Sequence, residues 1–124
     1  MANQPLTGLP RLVAAFRNSR AGFRDVWRSD EAIRMECVAL GGSVPLALWI
    51  ADSGFQAAVL IAVVLFVLLV EVLNCAIESV VDRIGPERHE LSRIAKDLGS
   101  LAVLLAMVLA GIVWAGAIWD AVFA

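Results

Sequence analysis

Ala57-Ala58-Val59-Leu60-Ile61-Ala62-Val63-Val64-Leu65-Phe66-Val67-Leu68-Leu69-Val70 is an unbroken apolar run, and Glu71-Val72-Leu73-Asn74-Cys75-Ala76-Ile77-Glu78-Ser79-Val80-Val81-Asp82-Arg83 follows it directly. No helix breaker occurs between Phe55 and Gly85-Pro86. A helix from Phe55 to Val81 is about 40 Å long, whereas a bilayer core is about 30 Å thick. Its last turns must therefore enter a membrane interface. Glu71, Asn74 and Glu78 are spaced i, i+3, i+7 and share one helical face. Ionisable groups at the edge of a span are costly, and proteins that keep them there usually use them.

The rest of the chain agrees with a membrane setting. Of its 124 residues 60% are apolar, and the mean hydropathy is +0.82. Soluble domains lie nearer 45–50% apolar by rough average. The expectation is an all-α membrane protein with one domain spanning 1–124. No cleavable signal peptide is expected, because Asp25, Asp30, Glu31 and Glu36 precede the first apolar run. The ten Lys and Arg residues fall in two blocks, Arg11 to Arg34 and Arg83 to Lys96. Under the positive-inside rule the N-terminus and the 82–97 loop are cytoplasmic, which requires an odd number of spans. Cys37 and Cys75 lie near the cytoplasmic ends of spans and are read as reduced packing residues.

Leu9, Leu12, Val13, Phe16, Phe23 and Trp27 recur near helical spacing with arginines between them. That pattern predicts an amphipathic surface helix over about 9–28, on an anionic cytoplasmic leaflet. A first span follows over about 32–51, opened by Ser29-Asp30-Glu31 as cap and acidic first turn. Gly41 and Gly42 permit close helix approach, and Pro45 is a potential kink. Asp52-Ser53-Gly54 is a turn, and the second span covers about 55–83. A charged loop over 87–97 leads to a third span, about 97–119. Trp49, Trp114 and Trp119 mark the outer interface.

Acids and bases thus gather at one depth: Asp30, Glu31, Arg34 and Glu36, then Glu71, Asn74 and Glu78, then Lys96 and Asp97. Such a set suits a divalent cation, a polyanion and a general base. Mg²⁺ takes one or two carboxylates together with phosphate oxygens and water. Lysine and arginine neutralise phosphate. A carboxylate flanked by Val70 and Val72 suits proton abstraction from a lipid hydroxyl. Interhelical ion pairs that only hold a bundle together are the plainer alternative. They explain single charges at span ends better than three polar groups on one face. Neither GxxxxGK[ST] nor GxGxxG occurs, and no His-rich or CxxC metal motif is present. The basic helix is better explained by a membrane surface than by nucleic acid.

Glu71-Val72-Leu73-Asn74-Cys75-Ala76-Ile77-Glu78 with Val80-Val81-Asp82-Arg83 resembles the E-x-L-N-[ST]-A-I-E…V-V-D-R signature of the prokaryotic diacylglycerol kinases. His89-Glu90-Leu91-Ser92 and Ala95-Lys96-Asp97-Leu98-Gly99-Ser100 match a second block of that family. The resemblance covers the whole chain. It implies a homotrimer in the bacterial inner membrane, each protomer with a surface helix and three transmembrane helices. It also implies transfer of the ATP γ-phosphate to diacylglycerol, giving phosphatidate. By position, Glu71 is then the general base, and Asp30 and Glu78 hold Mg²⁺. Asn74, Lys96 and Asp97 position the phosphates, and Arg11, Glu87 and His89 contact nucleotide. Arg11 also belongs with Arg34, Glu36, Trp49, Glu71 and Ser100 on the lipid side.

Two positions depart from the family pattern. Asp30 stands where the metal carboxylate is usually Glu, which leaves Glu31 as a rival ligand. Asn18 replaces a typical aromatic residue, so no nucleotide contact is carried to it. Two other functions compete. A polyprenol kinase of the same fold would share the catalytic face, although the two blocks around His89 and Ser100 look more like the diacylglycerol branch. A non-enzymatic assembly subunit would use the polar face for packing alone.

Overall fold

The computed structural model describes residues 4–123. Among them the chain is wholly helical: α1 Gly8–Ser29, α2 Glu31–Ile50, α3 Gly54–Ile84 and α4 Glu90–Phe123. Helices α2, α3 and α4 are long and apolar enough to cross a membrane.

Local chemistry sets the helix boundaries. Asp30 adopts an extended backbone (φ −126°, ψ 116°) and alone separates α1 from α2. Its Oδ1 accepts from the backbone N–H groups of Ala32 at 2.7 Å and Ile33 at 3.3 Å, satisfying donors that a helix start leaves open. Ser53 caps α3 in the same way, its Oγ accepting from Gln56 N at 3.1 Å. Gln56 reaches back and accepts from Asp52 N at 2.7 Å, a reciprocal arrangement close to a capping box. Gly85, at φ 153°, ends α3 in a conformation open mainly to glycine, and Pro86 follows it. Pro45 lies within α2 without ending it.

The stretch over 87–97, expected as a loop, is mostly helical, since α4 begins at Glu90. His89 starts it: its Nδ1 accepts from Leu91 N at 3.1 Å and its carbonyl accepts from Arg93 N at 3.1 Å. Arg93 bonds Asp97 at 2.6 Å and also pairs with Glu90, so charges one turn apart support the helix. A hydropathy reading marks only where the apolar part begins. It misses polar turns that extend the same helix.

Helix α3 is central, packing most heavily on α4 and next on α2. At one end Ala47, Leu60 and Ala117 form the core, and Trp114 Nε1 donates to the Leu60 carbonyl at 3.1 Å. Along α3 the buried residues run Ala57, Leu60, Val63 and Val67, then Glu71, Asn74 and Cys75, and last Val81 near the helix end. The buried stripe thus changes from apolar to polar where the apolar run stops. Large side chains such as Leu65, Phe66, Leu104 and Ile112 stay exposed, as a lipid-facing surface requires.

Helix α1 buries no residue and is held at its C-terminus. Arg34 Nη1 donates to the Trp27 carbonyl at 2.6 Å, and Asp30 N bonds to Val26 O at 2.9 Å. A cation at this end also opposes the negative pole of the helix. Arg34→Gln should loosen the last turn of α1 by about 1 kcal/mol. Hydrogen exchange would read this as faster exchange at Asp30 and its neighbours, with α3 amides unchanged.

Candidate active site

The polar face of α3 and the start of α2 form one cluster. Glu71 is 6% exposed and Asn74 7%. Asp30, already the cap of α2, turns its second oxygen toward α3, where Oδ2 accepts from the Cys75 thiol at 3.0 Å. Ligand atoms of Asp30, Glu71 and Cys75 all lie within 4.8 Å of one another. Glu36 of α2 is also buried, and its Oε2 has no partner among the described residues. Glu78 is half-buried one turn beyond Asn74 on the same face. The Cys75 thiol, with the N–H groups of Ile33 and Ala32 and the nearby Arg34, holds the Asp30 carboxyl below the usual carboxylate range despite partial burial.

Two carboxylates therefore converge and a third, Glu36, is buried on α2, without a salt bridge to any of them among the described residues. Buried charge of one sign calls for a counter-ion or a proton. Carboxylate oxygens suit a hard divalent cation such as Mg²⁺. The thiol is a soft donor, and here it serves as a hydrogen-bond donor to Asp30. Of the two candidate acids at this helix start, Asp30 faces the cluster and Glu31 is exposed. Glu78 lies outside the tight group.

A second polar group lies where α3 hands over to α4. A cleft of about 620 Å³ is lined by Asp82, Glu87, Arg88, His89, Arg93 and Lys96, among others. Lys96 Nζ bonds Asp82 Oδ1 at 2.8 Å across the two helices. Asp97 is bound by Arg93. These pairs are exposed and screened by solvent, so they can be exchanged for a ligand phosphate at little cost.

Two apolar grooves flank the polar face. One, about 600 Å³, runs past Leu73, Ile77, Val80, Ile84, Leu91 and Ala95. The other, about 480 Å³, lies between α1 and α3 and ends beside Cys75 and Ser79.

The remaining sequence candidates stand apart from the cluster. Arg11 is exposed on the first turn of α1. Trp49 is 82% exposed at the opposite end of α2. Ser100 is exposed on α4, and Arg34 is engaged with the end of α1. Three residues in or beside these groups were not among the site candidates read from the sequence, where Cys75 was a packing residue. Cys75 is buried as a packing residue should be, but it also bonds Asp30. Asp82 holds Lys96, and Gly99 abuts Asn74. Cys75 follows Asn74 directly and Asp82 lies one turn past Glu78, so their positions within the signature were the available signal.

The family model described as prokaryotic diacylglycerol kinase matches residues 17–118. The diacylglycerol kinase of Escherichia coli K12 is 45% identical over 120 residues, covering 97% of this chain and 98% of that protein. The Haemophilus influenzae diacylglycerol kinase is 41% identical over 110 residues, covering 89% of this chain and 93% of its own. The Pseudomonas aeruginosa diacylglycerol kinase is 41% identical over 109 residues, covering 88% and 89%. Matches of this extent take in every helix and both polar groups, and the chain belongs to the prokaryotic diacylglycerol kinase family.

Proposed function

We propose that the protein phosphorylates diacylglycerol with ATP, giving phosphatidate and ADP, at the cytoplasmic face of a bacterial inner membrane. The observation that carries the residue assignment is Glu71. It is a carboxylate 6% exposed, at the level where the apolar run of α3 ends, with no cationic side chain paired to it among the described residues. A base in that position meets a lipid hydroxyl without the bulk water that would compete for it.

In this reading Glu71 takes the proton of the free hydroxyl as its oxygen attacks the γ-phosphorus. The bond from that phosphorus to the ADP oxygen breaks. Asn74 orients the Glu71 carboxylate and a phosphate oxygen, and Lys96 and Asp97 align the phosphates. Asp30 and Glu78 hold Mg²⁺, which supplies charge neutralisation when bound. Arg11, Glu87 and His89 contact the nucleotide, Glu87 and His89 from the cleft between α3 and α4. Arg34, Glu36, Trp49 and Ser100 belong to the lipid side, and the groove ending at Cys75 suits an acyl chain. Helix α1 lies on the cytoplasmic leaflet through Leu9, Leu12, Val13, Phe16, Phe23 and Trp27, all exposed. The chain acts as one domain over 1–124 and as a homotrimer.

Mixed micelles offering diacylglycerol and undecaprenol side by side, with γ-labelled ATP, test the substrate. Label is expected in phosphatidate. Label only in polyprenyl phosphate would transfer the assignment to the polyprenol branch. Label in neither lipid, with folded protein, would overturn the kinase reading.

A further inference from the structure

Gly99 is a buried residue of α4, and what it faces is Asn74. A Cβ built at position 99 would overlap the Asn74 carboxamide oxygen, and the carbon bearing that oxygen would lie 3.3 Å away. Both contacts are with the side chain of a residue that is itself 7% exposed on α3. Among the described residues Asn74 Oδ1 has no hydrogen-bond partner. Asn74 lies one turn past Glu71 on the same buried face of α3, where side chains three residues apart are neighbours. The amide thus sits against bare α4 backbone, one turn from the carboxylate.

The register of the pair reinforces this. Trp114 meets Leu60 at one end of the α3–α4 contact and Gly99 meets Asn74 further along, so the helices run antiparallel with a fixed offset. Residues buried on α4 are Gly99, Ala106 and Ala117, all small. Ala117 packs its methyl group in the core with Leu60 of α3. Only at position 99, opposite a carboxamide, is even the methyl absent. Gly111 and Gly116 of the same helix face open space.

We propose that Gly99 is a positioning residue for the phosphoryl transfer: the missing Cβ leaves room for the Asn74 amide between α3 and α4, and the amide held there orients the Glu71 carboxylate. Gly99 touches no substrate and acts only through Asn74. The inference rests on the reading of Glu71 as base. A methyl group at 99 must displace Asn74, because α4 backbone is anchored on both sides by packing. Displacing it changes where the amide stands relative to Glu71, one turn earlier on α3. Small misplacements of a reacting group are sufficient to lower turnover by between about tenfold and 100-fold.

Kinetics of Gly99→Ala, Asn74→Ala and the double variant in mixed micelles test this, with Gly111→Ala as control. Gly99→Ala should lower kcat at least tenfold with KM for ATP and diacylglycerol unchanged, and Gly111→Ala should keep the parent kcat. In the Asn74→Ala background the methyl at 99 has room, so Gly99→Ala should cost nothing further in kcat or Tm. A parent kcat in Gly99→Ala, a rise in KM instead, or full additivity in the double variant would each overturn the proposal. If the Asn74→Ala rate is too low to read, the Tm cycle decides, since additive Tm losses exclude action through Asn74. Glu71→Gln assayed beside them separates the two readings. Parent activity there removes the base assignment, whereas the Gly99–Asn74 cycle stands or falls by its own coupling.

Discussion

Glu71→Gln should lose between about 10²-fold and 10⁴-fold in kcat while the protein folds and binds both substrates as before. Glutamine has the shape of glutamate but cannot take the proton of an alcohol. Only the transition state uses that capacity, so KM for ATP and for diacylglycerol should stay within a few-fold of the parent. Folding should not suffer. Glu71 is 6% exposed, beside Asp30 and with no cation paired to it among the described residues, so replacing its charge with a neutral amide removes a desolvation cost. An unchanged or raised Tm together with collapsed kcat is the expected pair of results. A parental rate in detergent-purified Glu71→Gln would end the base assignment and return the polar face to a packing role. Loss of both rate and Tm would point the same way, since a purely structural residue fails by unfolding.

The helices and the catalytic face differed in how far they could be read from the chain. The apolar runs and the Gly85-Pro86 stop gave the spans, because hydropathy and breakers are local properties. The i, i+3, i+7 spacing of Glu71, Asn74 and Glu78 needed only the geometry of one helix. The extension of α4 back to Glu90 was not visible to hydropathy. It depends on Arg93 pairing forward with Asp97 and back with Glu90, and on the His89 ring at the helix start. The Asp30–Cys75 contact joins residues far apart in sequence across two helices. The place of Cys75 within the signature marks it as near the site, but nothing local to either residue says that the two meet. Gly99 is a sharper case. Among the several glycines of the apolar helices it is set apart only by Asn74 lying opposite, a fact of interhelical register. Residues whose role is set within one helix were legible, and those set between helices were not.

The same division bears on the metal, where sequence left Asp30 and Glu31 as rivals. Asp30→Asn should raise the Mg²⁺ concentration needed for half-maximal rate by about 100-fold or more, since even supporting partners of a metal ligand cost 10–100-fold when lost. Glu31→Gln should leave it unchanged, because Glu31 is exposed and stands outside the cluster. Asparagine is the informative replacement. Asp30 Oδ1 accepts from Ala32 N and Ile33 N to start α2, and an alanine there would lose about 1 kcal/mol of helix capping along with the charge. Asparagine caps as well as aspartate, and its remaining polar atom can still sit against the Cys75 thiol. The variant therefore removes the anionic ligand and keeps the helix start. Mn²⁺ binding followed by electron paramagnetic resonance should fall in parallel, giving a reading independent of turnover. If Asp30→Asn and the parent titrate alike with Mg²⁺, or if Glu31→Gln carries the shift, the carboxylate that caps α2 does not hold the cation.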